Sequence, residues 1–273
     1  MRTQKEKGER FRGLHERKQA FVIPNPWDVG TALVLEKLGF EALATTSAGF
    51  AFSLGKQDNT VELRVLMQHV AALAAVSDLP VSVDLGNGFG DAPKTVAETI
   101  RLTAQAGAVG GSVEDYTGDE SRPFYSHEEA AERVRAAAEA AKALPLPFTL
   151  TARAENYLYG KPDMRDTLRR LQVYQEAGAH VLYAPGITTR EQIAEVVRAV
   201  DRPVNVLVGL AGMRLSLQEL SELGVRRVSV GSGLCRAAMG AFLRAAREMQ
   251  EKGTFTWAEE AVPSISGLLK SPG

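Results

Sequence analysis

The sequence predicts an α/β protein of the (β/α)8, or TIM-barrel, class with an additional C-terminal helical tail. Three observations carry this. Eight short apolar runs alternate with stretches whose apolar residues recur at helical spacing. The helical stretches end repeatedly in a C-cap glycine that leads into a strand, at Ala106-Gly107-Ala108, Ala177-Gly178-Ala179 and Leu223-Gly224-Val225. The 273 residues suit one large α/β domain, and no linker divides them. A doubly wound sheet is the alternative, but eight strands would then need more length or a second domain. Residues 1–273 are therefore read as a single barrel domain, with an N-terminal helix in 1–20 and a C-terminal helical segment in 234–273.

The candidate strands are 21–25, 42–47, 80–86, 110–115, 148–153, 181–185, 203–208 and 227–231. Pro80, Pro147 and Pro203 stand at strand entrances, where a missing N–H is tolerated. The candidate helices between and after them are 29–38, 61–75, 92–106, 127–143, 166–177, 190–200, 216–223 and 234–252. The apolar tail beyond Gly231, with Trp257, suits packing on its own barrel or on a neighbouring subunit.

Barrel active sites lie at the C-terminal strand ends. That rule gathers Asn25 and Trp27, Thr46 to Gly49, Asp84 to Asn87, Glu114 and Asp115, Arg153 and Glu155, Asn205, and Gly231 to Gly233 at one mouth. The segment Pro80-Val-Ser-Val-Asp84-Leu-Gly86-Asn87-Gly-Phe-Gly90 is the most informative. A buried strand ends there on a carboxylate and enters a glycine-rich loop. Such a carboxylate is costly unless a metal, partner or substrate meets it.

Asp84 and Glu114 fall on neighbouring strands, and hard oxygen ligands of this kind suit Mg²⁺; a salt-bridged pair at the rim is the plainer reading. Arg153 can grip a substrate carboxylate through a bidentate fork, or pair with Glu155 or Asp84. The turn Thr46-Ser47-Ala48-Gly49 offers hydroxyls and closely spaced N–H groups for a carboxylate or oxyanion. The long polar segment 116–127 reads equally as a lid or as a passive loop. The turns 209–212 and 231–233 could bind phosphate or serve only as tight turns.

Other chemistries find no support. No lysine falls at a strand end, which argues against a Schiff-base aldolase. The four histidines are not spaced as a zinc site, and His127 alone lies near the mouth. Net charge is −1, so no field for nucleic acid or an anionic membrane exists. No apolar run approaches the roughly 20 residues of a membrane span, and the basic N-terminus lacks the apolar core of a secretory signal. The single cysteine, Cys235, fits a reducing compartment and hence a cytoplasmic location.

The chain resembles the isocitrate lyase and phosphoenolpyruvate mutase superfamily from about Phe21 to Gly240. The resemblance rests on 24–28, Gly39-Phe40, Thr46-Ser-Ala-Gly49, 53–58, Asp84-Leu-Gly-Asn-Gly-Phe-Gly90, Val113-Glu-Asp115 and Thr151-Ala-Arg153. It implies that Asp84 binds Mg²⁺ (Mn²⁺ as a substitute), with Asp58 and Glu114 acting through its waters. It also implies that Thr46, Ser47 and Ala48 grip the substrate carboxylate and that Arg153 holds the other end. Trp27, Gly86, Asn87 and Asn205 complete the expected substrate contacts. Two departures stand out. The family's Asp-x-Asp after the third strand has Gly86 at its second acid, with Asn87 as a water-mediated substitute. The lid lacks the lyases' cysteine and lysines and the mutases' Lys-and-Asn pattern.

The expectation is a Mg²⁺-dependent carbon–carbon lyase acting on a small 2-oxo or 2-hydroxy di- or tricarboxylate through a metal-stabilised enolate. Oxaloacetate decarboxylation is the example, with Tyr125 or water as proton donor. The alternatives are an isocitrate or methylisocitrate lyase of low activity, using Tyr116, Tyr125 or His127 in the cysteine's part, and a non-catalytic 2-oxo acid binding protein. Phosphonate chemistry is a further option. The expected partners are a small carboxylate and further copies of the chain, as a dimer or tetramer.

Overall fold

The computed structural model describes residues 1–209, 211–262 and 264–269. Residue 210 of the 209–212 turn, and residues 263 and 270–273 of the predicted tail, lie outside the described residues. Helix α1 (Gln4–Glu16) opens the chain and is followed by strand β1 (Phe21–Ile23), α2 (Val29–Lys37), β2 (Leu43–Ala44), α3 (Ser47–Ser53) and α4 (Leu63–Val76). Strand β3 (Val81–Asp84), α5 (Pro93–Gln105), β4 (Gly110–Glu114), α6 (His127–Lys142), β5 (Thr149–Arg153) and α7 (Met164–Glu176) come next. The chain then forms β6 (Val181–Tyr183), α8 (Arg190–Ala199), β7 (Val204–Leu207), α9 (Leu217–Glu222), β8 (Arg227–Ser229) and α10 (Gly233–Lys252).

All eight predicted strands form, and all pairings are parallel in the order β1-β8-β7-β6-β5-β4-β3-β2. The barrel is nearly closed. Across the remaining seam the Ala44 N–H donates to the Pro24 carbonyl at 3.1 Å. Seven of the observed strands end before the predicted runs do, while β5 ends at Arg153 as predicted; beyond the ladder, residues such as Asn25 and Thr46 turn to the mouth. Asn25 shows how. Its amide donates to the Thr45 carbonyl at 2.9 Å and accepts from the Val230 and Gly231 N–H groups at 3.0 and 2.9 Å. One side chain thus ties three strand ends where backbone pairing has stopped.

One element was missed. Thr46 to Gly49, read as a turn, is the first turn of α3, and the Thr46 hydroxyl caps it by accepting from the Gly49 N–H. Short apolar Ser-Ala-Gly-Phe-Ala-Phe gives too little periodicity to distinguish a helix from a strand exit.

The opposite end of the barrel is stoppered by α1, whose start is fixed by a reciprocal Thr3–Glu6 capping box. Phe11 and Leu14 pack with Phe21, Ile23, Ala42 and Val109. A Cβ on Gly110 would lie 2.8 Å from the Phe11 ring, so glycine is what lets the helix approach β4. His15 belongs to the same plug. It meets the Phe11 and Phe21 rings edge-on at 4.8 and 5.1 Å and donates from Nδ1 to the Phe11 carbonyl, and its Nε2 is buried without a partner. Burial holds its pKa down at about 3.

That value gives a signed prediction. A His with a depressed folded-state pKa contributes stability above its unfolded pKa, and the contribution is lost as pH falls below about 6.5. The stability difference between wild type and His15→Leu should shift against the wild type by about 2 kcal/mol between pH 7 and pH 5. Urea unfolding at the two pH values measures it, and a difference that stays constant would contradict the neutral, buried assignment.

Candidate active site

Strands β3, β4 and β5 lie side by side, with Asp84 opposite Ser112 and Glu114 opposite Arg153 in register. Strand alternation sends Glu114 inward and Asp115 outward. Asp115 therefore leaves the mouth and joins a buried network, accepting from Arg170 at 2.9 Å, Tyr174 at 2.6 Å and the Glu155 N–H at 2.9 Å. That network fixes the backbone just beyond Arg153.

Arg153 is the centre of the mouth. Its Nη1 lies 3.0 Å from Asp84 and 2.9 Å from Glu114, and its Nε donates to Glu155 at 2.6 Å. The guanidinium also lies over the Tyr183 ring, 5.0 Å from its centroid. Burial alone would lower the Arg153 pKa, but Glu114, Glu155 and Asp84 outweigh it and push it well up. The carboxylates feel the converse. Burial raises Glu114 well above the usual range against the pull of Arg153, with Glu155, Asp84 and Asp58 adding to the rise. Glu155, wholly buried with Oε2 unpartnered, is pushed up to about 7 by burial.

Asp58 arrives from the loop after α3. The residue is exposed, yet its carboxyl sits against the site, where loss of solvent and the nearby Asp84 raise its pKa while Ser47 lowers it. The Ser47 N–H donates to Asp84 at 3.2 Å. Asp58, Asp84 and Glu114, with Ser47 and Asn59, form a wall shared by two cavities. The inner one, about 360 Å³, runs down into the barrel past Thr46, Ala48, Tyr183, Asn205 and Arg227. The outer one, about 770 Å³, opens past Gly86, Asn87, Phe89 and Tyr116.

The donor set suits a hard divalent cation. Three carboxylates meet one guanidinium, and a fourth, Asp58, lines the same cavity, so the available ligands are hard oxygens. Among the described residues, no three Asp, Glu, His or Cys side chains are drawn together as a ready-made cluster. Gly86 adopts φ +51°, and a Cβ there would meet only Asn59 Oδ1 at 3.6 Å, so the space of the missing acid is open.

Of the expected site residues, Asp58, Asp84, Glu114, Arg153, Thr46, Ser47, Ala48 and Asn205 border the inner cavity, while Gly86 and Asn87 border the outer one. Two do not join them. Tyr125 is buried with its hydroxyl on Asp91 at 2.5 Å and its ring under Arg133, so it is corrected from proton donor to packing residue. The cause is the Tyr116–Phe124 bridge, which folds the loop back and turns Tyr125 away from the mouth. Trp27 lines neither cavity; its Cβ lies beside Gly49 behind α3. His127 starts α6 and pairs with Asp166 at 2.8 Å, outside both cavities. The reading also missed Tyr159, Tyr183 and Arg227, all on the inner cavity. Tyr183 ends a strand and Arg227 opens one, which were usable signals. Tyr159, in a loop and stacked on Tyr116 at 3.7 Å, gave none.

Fold and site together define a (β/α)8 barrel whose C-terminal mouth gathers Asp58, Asp84, Glu114 and Arg153 around one cavity. A family model described as phosphoenolpyruvate phosphomutase matches residues 11–250, and the chain belongs to that family, within the isocitrate lyase and phosphoenolpyruvate mutase superfamily. A solved structure from Burkholderia cenocepacia J2315, assigned provisionally as a lyase/mutase, is 59% identical, with a TM-score of 0.96 over 98% of this chain and 97% of that one. An uncharacterised protein of Mycobacterium tuberculosis is 34% identical over 88% of this chain and 89% of its own. The oxaloacetate decarboxylase of Paraburkholderia xenovorans is 30% identical over 82% of this chain and 74% of its own.

Removing Arg153 would leave Asp84, Glu114 and Glu155 without their shared cation. Arg153→Met should destabilise the fold by about 3–5 kcal/mol at pH 8, the range for a buried pair that loses one partner. The loss should shrink toward pH 5, where the acids take up protons instead. Denaturant midpoints at both pH values check this, and a variant as stable as wild type at pH 8 would show that the cluster is solvated.

Proposed function

We propose that this chain is a Mg²⁺-dependent carbon–carbon lyase acting on a small 2-oxo or 2-hydroxy di- or tricarboxylate, with oxaloacetate decarboxylation as the simplest case. One observation carries the reading: Asp58, Asp84, Glu114 and Arg153 share the wall of a cavity sized for such an acid. Family membership and the lyase-type relatives support it.

Asp84 would hold the cation, with Asp58 and Glu114 reaching it through water. The cation would supply Lewis-acid stabilisation of the negative charge that builds on the substrate's oxo oxygen. The Thr46 to Ala48 turn would hold the adjacent carboxylate. Arg153 has Nη2 free of hydrogen bonds among the described residues and would face the substrate with it. Its other nitrogens are locked by three acids, so it would orient rather than move.

After the bond to the departing carbon breaks, the enolate carbon needs a proton. With Tyr125 excluded, Tyr159 takes that part in this reading. Its side chain lines the inner cavity, and burial with the Glu114 and Glu155 charges keeps its hydroxyl protonated. The phenol would give its proton to carbon and recover one from water.

The oligomer belongs to the same reading. Helix α10 and the segment after it expose Met239, Phe242, Leu243, Phe255 and Trp257, apolar surface that a second subunit of a dimer or tetramer would cover. The lone buried Cys235 is consistent with the cytoplasm. Among the described residues, no helix is long and apolar enough to cross a membrane.

Mass spectrometry of products from a panel of oxo and hydroxy acids, with and without Mg²⁺, tests the function. Oxaloacetate or a related acid should be cleaved, and EDTA or Asp84→Ala should each abolish turnover. Activity surviving both treatments sinks the metal-dependent reading. Binding with no product from any acid would make the chain a 2-oxo acid binding protein. Tyr159→Phe should lower kcat by about 10²-fold, the lower range for loss of a general acid, with KM little changed. An unchanged kcat would return the proton to water.

A further inference from the structure

The inner cavity contains a second guanidinium that the proposed chemistry leaves unused. Arg227 enters from β8, one inward-facing position deeper than Ser229, and is 5% exposed. Its Nε donates to Asn205 Oδ1 at 2.9 Å and its Nη2 to Thr151 Oγ1 at 3.0 Å. Its Nη1 is sealed from solvent and has no hydrogen-bond partner. Among the described residues no carboxylate lies within ion-pair distance of it; all of its partners are neutral. Burial pulls its pKa down to about 10, as expected of a cation whose charge is poorly met.

Such a group is expensive. A buried ion without a counter-ion costs several kcal/mol, and an unmet donor adds about 1–3 kcal/mol. A methionine of similar reach would avoid both costs. The guanidinium is nonetheless braced: Asn205, which holds its Nε, is itself fixed by a 2.9 Å hydrogen bond to Ser229. A rigid, desolvated cation with one unpartnered donor, on a side chain that borders the cavity, is suited to an anion that reaches it. The other arginines bordering this cavity do not compete for that part. Arg153 already answers three carboxylates, and Arg236 is exposed, with its Nε on Ser232.

We propose that Arg227 is a specificity-determining residue: through Nη1 it takes the second carboxylate of a dicarboxylate whose 2-oxo acid end lies at the Asp84–Arg153 wall. The assignment of the two ends rests on the lyase reading; the preference for a dicarboxylate rests on Arg227 alone. Monocarboxylic oxo acids would leave the guanidinium unmet and bind poorly.

The test uses the full-length protein with Mg²⁺ present, titrated with succinate and propionate, which carry no oxo group and cannot turn over. Calorimetric titration of wild type should show succinate binding at least tenfold tighter than propionate. Arg227→Met should abolish that preference by weakening succinate alone, and Arg227→Lys should retain part of it. Wild type that binds both acids equally, or a folded Arg227→Met that keeps the preference, overturns the proposal. If the Met variant does not fold, bromide-soaked wild-type crystals decide: an anomalous peak within hydrogen-bond reach of Nη1 supports the site, and no peak in the inner cavity overturns it. The preference without any oxo-acid turnover in Mg²⁺ would defeat the lyase reading and leave Arg227's role standing. Equal turnover of mono- and dicarboxylic oxo acids would do the reverse.

Discussion

The mouth of this barrel depends on one guanidinium. Arg153 meets Asp84, Glu114 and Glu155 within 3.0 Å, and each comes from a different stretch of chain. Without it, three acids would be buried against one another, with repulsion uncompensated in a poorly solvated site. With it, the group is still short of positive charge. The rise of Glu114 well above its usual range and of Glu155 to about 7 are two signs of the same deficit. A site in this condition relaxes in one of two ways: it takes up protons, or it takes up a cation. The first leaves a protonated pocket at low pH. The second is what a metal-dependent lyase of this family would need.

Parallel register is what makes the arrangement cheap to build. Adjacent strands place Glu114 beside Arg153, and Arg153 beside Tyr183, at the same height in the barrel wall. No long side chain has to be stretched across the mouth. The outward partner of each inward residue is equally constrained. Asp115, turned away by strand alternation, ties to Arg170 and Tyr174 and holds the Glu155 N–H. The rigidity of the inner wall therefore derives from a polar network behind it, buried as deeply as the site itself.

Much of this was legible in the sequence because strand ends are punctuated by composition. Eight apolar runs and recurrent C-cap glycines were enough for the barrel, and the barrel rule brought Asp84, Glu114 and Arg153 to one mouth. What was not legible had a common cause: direction. The sequence places Tyr125 in the loop after β4 but cannot say that the Tyr116–Phe124 bridge turns it under Arg133. Helix α3 was hidden because seven small and aromatic residues carry no clear period. Arg227 was passed over although a charge at the start of a buried strand was visible; strand exits drew attention, and the deeper layer did not.

The inner cavity is electrically asymmetric, and that asymmetry constrains what it can hold. One wall carries Asp58, Asp84 and Glu114, with Arg153 only partly offsetting them; the deeper layer carries Arg227 with neutral neighbours. An apolar ligand gains little from such a field, and a simple cation would satisfy one end and be repelled by the other. A cation at the acidic wall together with a doubly anionic molecule reaching from it to Arg227 satisfies both. Each would also lower the cost of binding the other, because the cation neutralises the wall that would otherwise repel the anion. In the proposed lyase, metal and substrate affinity would be coupled by electrostatics. Gly86 fits the same logic. An aspartate there would add another negative charge beside the acidic wall and would sit in a left-handed backbone conformation at φ +51°, so the glycine leaves that wall less negative.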